Sequence, residues 1–241
     1  MVTITIDGRQ FQGREGSTIL EVAEEHGIRI PHLCYHGAVN SSGACRLCSV
    51  EVTVGRRSRI VASCLYPIVE GLVVKTNTEK VQNLRRMLIE LLLARCPNVK
   101  AVQDLAGELG VTKPGYESED QDCILCGLCA RVCEEIVGRS AISMVNRGTT
   151  RDVAAPFHDT WGACIGCGSC AYVCPTGCIK VEDVGDTRFI RKWNVELKLE
   201  KCEVCGNTIG TKAQLDYLAE TLDLPREEFH ICPSCRAQVA V

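Results

Sequence analysis

The sequence predicts an α+β protein made of several small modules that are held together by metal sites. Sixteen of the eighteen cysteines fall into four groups of four, and each group has the spacing of a metal site. Short strand-like and helix-like segments alternate with these groups and carry turn and capping signals at their ends. Only 5% of the 241 residues are aromatic, so each module has little material for an apolar core, and bound metal would supply stability.

A disulfide scaffold would also need many cysteines, but two features favour metals. Residues 1–6 read as a strand and not as a secretory signal, which would have a basic start and an apolar centre. Repeated C-x-x-C pairs are typical of metal ligands in a reducing cytosol. We therefore expect a cytoplasmic protein with thiolate-bound metals.

Charge and hydropathy argue against several other functions. The formal net charge is −3 and no Lys/Arg-rich stripe is present, so nucleic acid is not expected as a partner. The longest apolar run, residues 87–94, is interrupted by Glu90 and is much shorter than the roughly 20 residues of a membrane span. No Gly-rich phosphate loop and no nucleophile–base–acid set is recognisable, so no catalytic residue is predicted in this chain.

The first predicted module spans residues 1–78 and begins with β-structure. Residues 2–6 and 9–12 read as the strands of a hairpin, because the Asp-Gly pair between them is a strong turn signal. Small residues at 41–44 precede a cysteine pair, and they would let backbone N–H groups approach a bound cluster. The module is therefore predicted to be a small sheet that carries a metal-binding loop.

A helix is predicted next, over residues 19–26. Thr18 and Glu21 form a capping box at its start, and Gly27 suits its end. The following loop leads to four cysteines with the spacing C-x10-C-x2-C-x15-C: Cys34, Cys45, Cys48 and Cys64. Four thiolates on a β-rich module indicate a 2Fe–2S cluster, although the first interval is longer than in plant-type ferredoxins. A structural zinc site is the alternative.

Several segments around these cysteines carry a family resemblance. They are Ile30-Pro31-His32-Leu33-Cys34, residues 43–52 (GACRLCSVEV), Ala62-Ser63-Cys64 and Gly71-Leu72-Val73-Val74. Through them, residues 2–112 resemble the N-terminus of the large iron–sulfur subunit of respiratory complex I. They equally resemble the related subunits of NAD-linked hydrogenases and formate dehydrogenases. With this resemblance, the first module is expected to be a 2Fe–2S ferredoxin-like domain of the β-grasp type.

Residues 79–115 are predicted to be a helical spacer, with a helix over residues 84–94. In the family, a 4Fe–4S site with one histidine and three cysteines usually follows. Here Cys96-Pro97 stands where His-Pro is expected, and the other ligands are missing. Because one cysteine cannot hold a cluster, Cys96 is interpreted as a buried thiol that packs as a small hydrophobic residue.

The third predicted module, residues 116–190, carries two C-x2-C-x2-C-x3-C runs. These runs are typical of bacterial two-cluster 4Fe–4S ferredoxins, in which the fourth cysteine of each run ligates the other cluster. The predicted ligands of cluster a are Cys123, Cys126, Cys129 and Cys174, and those of cluster b are Cys164, Cys167, Cys170 and Cys133. Short strands are predicted at 141–145 and 178–181, and Cys178 is interpreted as a packing residue.

The last predicted module, residues 191–241, contains two C-x-x-C knuckles on either side of a helix over residues 211–222. Its four cysteines are Cys202, Cys205, Cys232 and Cys235. Paired knuckles form a tetrahedral four-thiolate site, as in a zinc ribbon or a rubredoxin. Zinc is the default occupant, while a mononuclear iron and a third 4Fe–4S cluster remain open.

Together these features predict an electron-transfer subunit of an oxidoreductase complex. By resemblance, it connects a flavin-bearing NAD(P)H-oxidising subunit to a hydrogenase, in a complex that can also use soluble ferredoxin and bifurcate electrons. An NAD-linked formate dehydrogenase is the nearest alternative. A redox or iron sensor is a hypothesis from another class, but sensing needs one labile cluster, not three on separate modules.

Overall fold

The computed structural model describes residues 1–160 and 162–239. The chain folds into two compact units, Met1–Leu128 and Cys129–Val241. Helices and strands are mixed in both units, as predicted. No helix among the described residues is long and apolar enough to cross a bilayer. Residues 240 and 241 of the predicted C-terminal module lie outside the described part.

The first unit contains a five-stranded mixed sheet with one helix packed on it. Strands β1 and β5 are parallel, and the other neighbouring pairs are antiparallel, in the order β2-β1-β5-β3-β4. This arrangement confirms the predicted β-grasp fold. The elements are β1 (Val2–Ile6), β2 (Arg9–Gly13), α1 (Ile19–Glu25), β3 (Ser49–Val54), β4 (Arg57–Ala62) and β5 (Val73–Lys75).

Local signals set the ends of the first elements as predicted. Asp7 and Gly8 have φ of 47° and 82° and join β1 to β2 in a two-residue turn, which needs positive φ at both positions. The Thr18 hydroxyl accepts from the Glu21 N–H, and the Glu21 carboxylate accepts from the Thr18 N–H. The capping box therefore starts α1 where the sequence indicated.

The core of the β-grasp module lies between α1 and the sheet. Ile4, Leu20, Val50, Val52 and Val74 are each 0% exposed there. Burying a side chain of this size contributes roughly 1.5–3 kcal/mol relative to leaving it in water. An ordinary hydrophobic core thus holds the module around its metal-binding loop.

The spacer consists of α2 (Glu79–Arg95) and α3 (Lys100–Glu108). Helix α2 starts five residues before the predicted helix, because the Thr78 side chain accepts from the N–H of Val81 and caps it there. The chain then returns to the end of α2, where the N–H groups of Glu119 and Gln121 donate to carbonyls of the last helical turn.

The second unit begins within α4 (Leu128–Arg131), which continues as a π-helical turn over Val132–Ile136. A four-stranded antiparallel sheet, in the order β11-β10-β9-β8, forms its largest element. The remaining elements are β6 (Ser143–Val145), β7 (Asp152–Ala154), α5 (Ser169–Tyr172), β8 (Glu182–Val184), β9 (Thr187–Ile190), β10 (Val195–Lys201), β11 (Thr208–Thr211), α6 (Lys212–Leu222) and α7 (Pro233–Val239).

The predicted strand at 178–181 is wrong, because strand β8 begins only at Glu182. The two-residue turn at Gly185 and Asp186 pairs Val184 with Thr187, and this register determines which residues form the hairpin. Pairing of β9 with β10 then continues across residue 190, so the sheet has no break at the predicted module boundary.

Candidate metal centres

The four cysteines of the N-terminal module lie together as two pairs. The Sγ atoms of Cys48 and Cys64 are 3.4 Å apart, and the Cys45 N–H donates to Cys34 Sγ at 3.3 Å. All four side chains are buried or half-buried. A 2Fe–2S cluster needs two thiolates for each iron, so two pairs are a suitable ligand set.

Hydrogen bonds within the pairs alter the acidity of these thiols. The bond shared by Cys48 and Cys64 lowers the pKa of Cys48 to about 6 and raises that of Cys64. In the other pair, the hydrogen bond with Cys34 raises the pKa of Cys45, and burial adds to the effect. One thiolate is thus favoured at neutral pH, and thiolates are the form that binds metal.

A buried arginine lies behind this ligand loop. Arg85 on α2 is 5% exposed, and its guanidinium donates to the Leu47 carbonyl at 3.0 Å and to the Ser49 carbonyl at 2.8 Å. These carbonyls flank Cys48. Burial lowers the pKa of Arg85, and the negative charges of Cys48 and Asp7 offset this effect only in part. Sequence patterns did not single out this residue.

Ser63, next to Cys64, provides a test of whether a cluster fits here. Its Oγ is buried and has no oxygen or nitrogen partner among the described residues, and hydrogen bonding by this hydroxyl to Cys48 lowers the pKa of that thiol. A hydroxyl that faces ligand sulfur can donate to a thiolate-bound cluster, so the residues fit a bound cluster.

The predicted ligands of cluster a are divided between the two units. Cys123 and Cys126 lie in the first unit, and Cys129 and Cys174 lie in the second, so this ligand set stays a prediction. The Arg95 guanidinium donates to the Cys123 carbonyl at 2.9 Å.

An extra cysteine lies beside one predicted ligand of cluster a. The Sγ atoms of Cys178 and Cys174 are 3.6 Å apart, and their hydrogen bond raises the pKa of Cys174 to about 12. Cys178 is only half-buried. It contacts a sulfur in addition to filling space, which the sequence did not indicate.

The four predicted ligands of cluster b line one cavity in the second unit. Cys133 comes from the π-helical turn, and the other three come from the second cysteine run: Cys164, Cys167 and Cys170. Ile142, Ile165 and Ile190 supply apolar walls. The fold thus places the fourth cysteine of the first run with the first three of the second run.

Trp193 completes the wall of this cavity and bears on whether a cluster fits. Its side chain is 4% exposed, and Nε1 has no oxygen or nitrogen acceptor among the described protein atoms. Burial raises the pKa of Cys170 to about 11, and hydrogen bonding by the Trp193 indole to this sulfur lowers it. A buried donor beside a sulfur suits a thiolate-bound cluster.

Three side chains hold the backbone of the loop that carries Cys164 and Cys167. Arg139 donates to the Ala163 carbonyl at 2.9 Å, and Arg188 donates to the Gly166 carbonyl at 2.9 Å. The hydroxyl of Thr211, from the end of β11, donates to the Ile165 carbonyl between them. Elements from both sides of the predicted boundary at residue 190 therefore support this one loop.

Gly166 allows this close packing. Its φ is +70°, and a Cβ at this position would lie 2.8 Å from Thr211 Cγ2 and 2.9 Å from Leu197 Cδ1. A side chain would thus be strained and would push the loop away from β10 and β11. Glycine beside the ligands, which the sequence linked to cluster approach, also serves the packing of the sheet.

The four C-terminal cysteines form a compact thiol group. One sulfur from each of Cys202, Cys205, Cys232 and Cys235 lies within 4.8 Å of the others. Backbone N–H groups donate to two of the sulfurs, from Cys232 to Cys202 at 3.3 Å and from Cys235 to Cys232 at 3.5 Å. Hydrogen bonds from backbone N–H groups lower the pKa of Cys202 to about 6. The donor set suits a tetrahedral metal ion.

The spacer holds no comparable group. The cleft beside α2 and α3 is lined by Leu93, Pro97, Gln103, Ala106, Gly107, Val111, Thr112, Pro114 and Ser118. None of these described residues is a cysteine, histidine or carboxylate. Cys96 is 0% exposed, as expected for a packing role.

Comparison with known proteins identifies two iron–sulfur domains in the chain. Residues 1–79 match the 2Fe-2S iron-sulfur cluster binding domain, and residues 163–210 match the 4Fe-4S dicluster domain. The second match includes the second cysteine run and the knuckle at Cys202 and Cys205, and it leaves the first run outside.

Relatives of the chain include subunits of several oxidoreductases. It is 38% identical over 213 residues to NADP-reducing hydrogenase subunit HndD of Solidesulfovibrio fructosivorans, covering 74% of this chain and 36% of that protein. It is 35% identical over 202 residues to the NADPH-Fe(3+) oxidoreductase subunit alpha of Geobacter sulfurreducens, covering 73% and 24%. The chain thus spans about a third or less of the length of these relatives.

A solved structure extends this similarity. The crystal structure of NAD+-reducing [NiFe]-hydrogenase in the H2-reduced state contains a chain with a TM-score of 0.58 and 32% identity. The match covers 64% of this chain and 74% of that chain. A component of the NADH-quinone oxidoreductase of Rhizobium meliloti is 32% identical over 244 residues, covering 88% of this chain and 28% of that protein.

Proposed function

The chain belongs to the family of iron–sulfur subunits found in NAD(P)-linked hydrogenases and NADH-quinone oxidoreductases, and on this basis we propose that it relays single electrons within such a complex. Its partners are a flavin-bearing subunit that oxidises NAD(P)H and a hydrogenase, with soluble ferredoxin as a further partner. The observation that carries the proposal is the cavity in which Cys133 meets three cysteines of the second run.

The proposed ligands follow the four cysteine groups. Cys34, Cys45, Cys48 and Cys64 hold a 2Fe–2S cluster; Cys123, Cys126, Cys129 and Cys174 hold cluster a; Cys133, Cys164, Cys167 and Cys170 hold cluster b. Bound clusters of this kind accept and donate one electron at a time. The C-terminal group of Cys202, Cys205, Cys232 and Cys235 holds zinc as its default, with a mononuclear iron as the alternative.

The surrounding residues orient the thiolates and exclude water. Arg85 fixes the carbonyls on both sides of Cys48, so the ligand loop keeps its shape when the cluster charge changes. Arg139 and Arg188 do the same for the loop of cluster b and place positive charge near an anionic site. Such hydrogen bonds and charges are the means by which a protein sets the potential of a cluster.

A second candidate follows from the NADPH-Fe(3+) oxidoreductase relative, which is nearly as similar as the hydrogenase subunit. In that case the same relay would deliver electrons to a terminal acceptor other than a hydrogenase. A formate dehydrogenase complex remains a further prediction. All of these place the chain in a reducing cytoplasm, where thiols stay available as metal ligands.

Metal analysis tests the proposed clusters. Protein purified without oxygen should contain about ten iron and ten acid-labile sulfide per chain, from one 2Fe–2S and two 4Fe–4S clusters. One zinc per chain would identify the C-terminal metal, and an eleventh iron without sulfide would indicate a rubredoxin-like site. Iron near four per chain would contradict the three-cluster model.

A paired activity assay on the assembled complex tests the relay. Cys48→Ser should stop NAD(P)-linked turnover and leave the partner enzyme active toward an artificial dye, since a relay in series fails at any break. Cys167→Ser should have the same effect. Mass spectrometry of co-purifying subunits identifies the partners. Full NAD(P)-linked turnover in the Cys48→Ser complex would make the N-terminal cluster a side branch.

A further inference from the structure

Two buried side-chain donors face proposed cluster ligands. Among the described residues, Ser63 Oγ, Trp193 Nε1 and Arg226 Nη1 are buried and have no oxygen or nitrogen partner. Hydrogen bonding by Ser63 to Cys48 and by Trp193 to Cys170 lowers the pKa of these thiols. Because native proteins rarely bury an unsatisfied donor, ligand sulfur is the acceptor that these two side chains require.

We propose that the Trp193 indole N–H donates a hydrogen bond to the sulfur shell of cluster b, at the Cys170 thiolate or a neighbouring sulfide, and thereby raises the reduction potential of that cluster. This inference rests on the proposed ligand set of cluster b. A donor that faces sulfur stabilises the reduced cluster more than the oxidised cluster, because the reduced form carries one more negative charge.

The position of Trp193 is fixed by the fold. It follows Ile190, the last residue of β9, in a short 3-10 turn over Arg191–Trp193, and both Ile190 and Trp193 line the cavity. Strand β10 begins two residues later and pairs with β9, so the turn is held at both ends. The sheet therefore fixes the backbone of Trp193, and the burial of its side chain, which is 4% exposed, holds the indole in the cavity wall.

Sulfur is the main acceptor in this cavity. Besides the cysteines, the lining is largely apolar and includes Ile142, Ile165 and Ile190. The other polar side chains are Arg139, which only donates, and Ser169, whose Oγ lies 3.4 Å from Cys167 Sγ. A bridging water would find few of the polar partners it needs here. A buried tryptophan normally places its N–H where a partner can be reached, and here the partner is a cluster ligand.

Arg139 acts in the same direction. It lines the cavity, and its guanidinium donates to the carbonyl of Ala163, the residue before Cys164. A cation near the cluster favours the more negative, reduced form. The hydrogen bond from Trp193 and the charge of Arg139 thus both favour the reduced form of cluster b and raise its reduction potential.

The experiment compares the full chain, purified without oxygen and loaded with clusters, with Trp193→Phe. Phenylalanine keeps an aromatic ring and removes the N–H. The matched control is Tyr217→Phe, which removes the 2.7 Å hydrogen bond from the Tyr217 hydroxyl to the Val137 carbonyl in the same cavity wall. Redox titrations followed by EPR give the potentials. Proton hyperfine spectra before and after exchange into D2O report exchangeable protons near the reduced clusters.

In Trp193→Phe, the potential of one 4Fe–4S cluster should fall, the other potentials should stay unchanged, and one exchangeable proton coupling should disappear. Tyr217→Phe should keep that coupling. If Trp193→Phe keeps both the potential and the coupling, the inference is overturned. If cluster b does not assemble in Trp193→Phe, a second variant carries the benzothiophene analogue of tryptophan at position 193. This analogue keeps the shape of the side chain but lacks the N–H, and its potential and proton coupling are judged by the same criteria. Wild-type protein without 4Fe–4S signals would instead contradict the proposed function.

Discussion

The ligand loop around Cys48 and the loop of cluster b are held by different forces. The first is backed by a closed apolar core between α1 and the sheet, and one buried cation, Arg85, satisfies its carbonyls. The second is held by donors from three separate segments: Arg139, Arg188 and Thr211. The first loop thus combines core packing with one buried side chain that bonds its backbone, whereas the second depends on several side chains that bond its backbone.

The difference has a consequence for stability. Strands β6, β7 and β8 in the second unit are three residues long, and short elements of this kind bury little apolar surface. Metal binding is then expected to supply a larger share of the folding free energy there than in the β-grasp module. The predictions below test this contrast.

The largest effect is expected from loss of the C-terminal metal. Cys205 is exposed, so Cys205→Ser removes a ligand but little packing. Because structural metal binding contributes about 10 kcal/mol or more in small domains, peptides from residues 195–235 should lose protection in hydrogen–deuterium exchange. Peptides from residues 2–75 should not change. Ser234→Ala, which alters an exposed neighbour in the second knuckle, is the control. Full protection of 195–235 in Cys205→Ser would show that hydrogen bonds alone hold this region.

A core truncation should be the most damaging change in the β-grasp module. Leu20→Ala leaves a cavity at a side chain that is 0% exposed and should cost about 2–5 kcal/mol. The measurement is the denaturant midpoint at which the visible circular dichroism of the 2Fe–2S site is lost. Leu222→Ala, at a side chain that is 56% exposed at the end of α6, should change stability by about 0.5 kcal/mol or less. Equal midpoints for Leu20→Ala and the parent would argue against a packed core.

A smaller effect is expected from Thr211→Val in the second unit. The hydroxyl donates to the Ile165 carbonyl and accepts from the N–H of Gln214, so its loss removes both a loop clamp and the N-cap of α6. The cost should be about 1–4 kcal/mol, seen as faster loss of 4Fe–4S absorbance in denaturant. Thr78→Val, which removes the cap of α2 only, should leave that rate unchanged. Equal rates for the two variants would mean that Thr211 does not support the cluster loop.

Replacement of Cys96 should have the smallest effect on the clusters. Cys96→Ser should leave the iron content and the EPR signals of the reduced protein unchanged, because the spacer cleft offers no further ligand among its described residues. A modest loss of stability is expected from burying a hydroxyl at a site that is 0% exposed. Disappearance of one EPR signal would reveal a cluster in the spacer and remove the contrast between spacer and cluster modules.

Features that depend on neighbouring residues could be predicted from the sequence. The Asp7-Gly8 turn and the capping box of Thr18 and Glu21 form through contacts within a few positions, and the structure confirms them. The strand expected at 178–181 was wrong because its register is set by a hairpin partner further along the chain. Local preference does not determine which of several short segments finds a partner.

The sequence by itself determined the four cysteine groups and the order of the modules, because thiolate spacing is local, while the β-grasp fold was expected from the family resemblance. Only the tertiary structure revealed Arg85 behind Cys48, Thr211 on the loop of cluster b, and Trp193 beside Cys170. Arg85 and Thr211 contact backbone carbonyls 38 and 46 residues away in the chain. No periodicity or motif encodes such pairs, since their positions follow from how sheets and helices pack. These residues shape the potential and stability of the sites that the cysteines define.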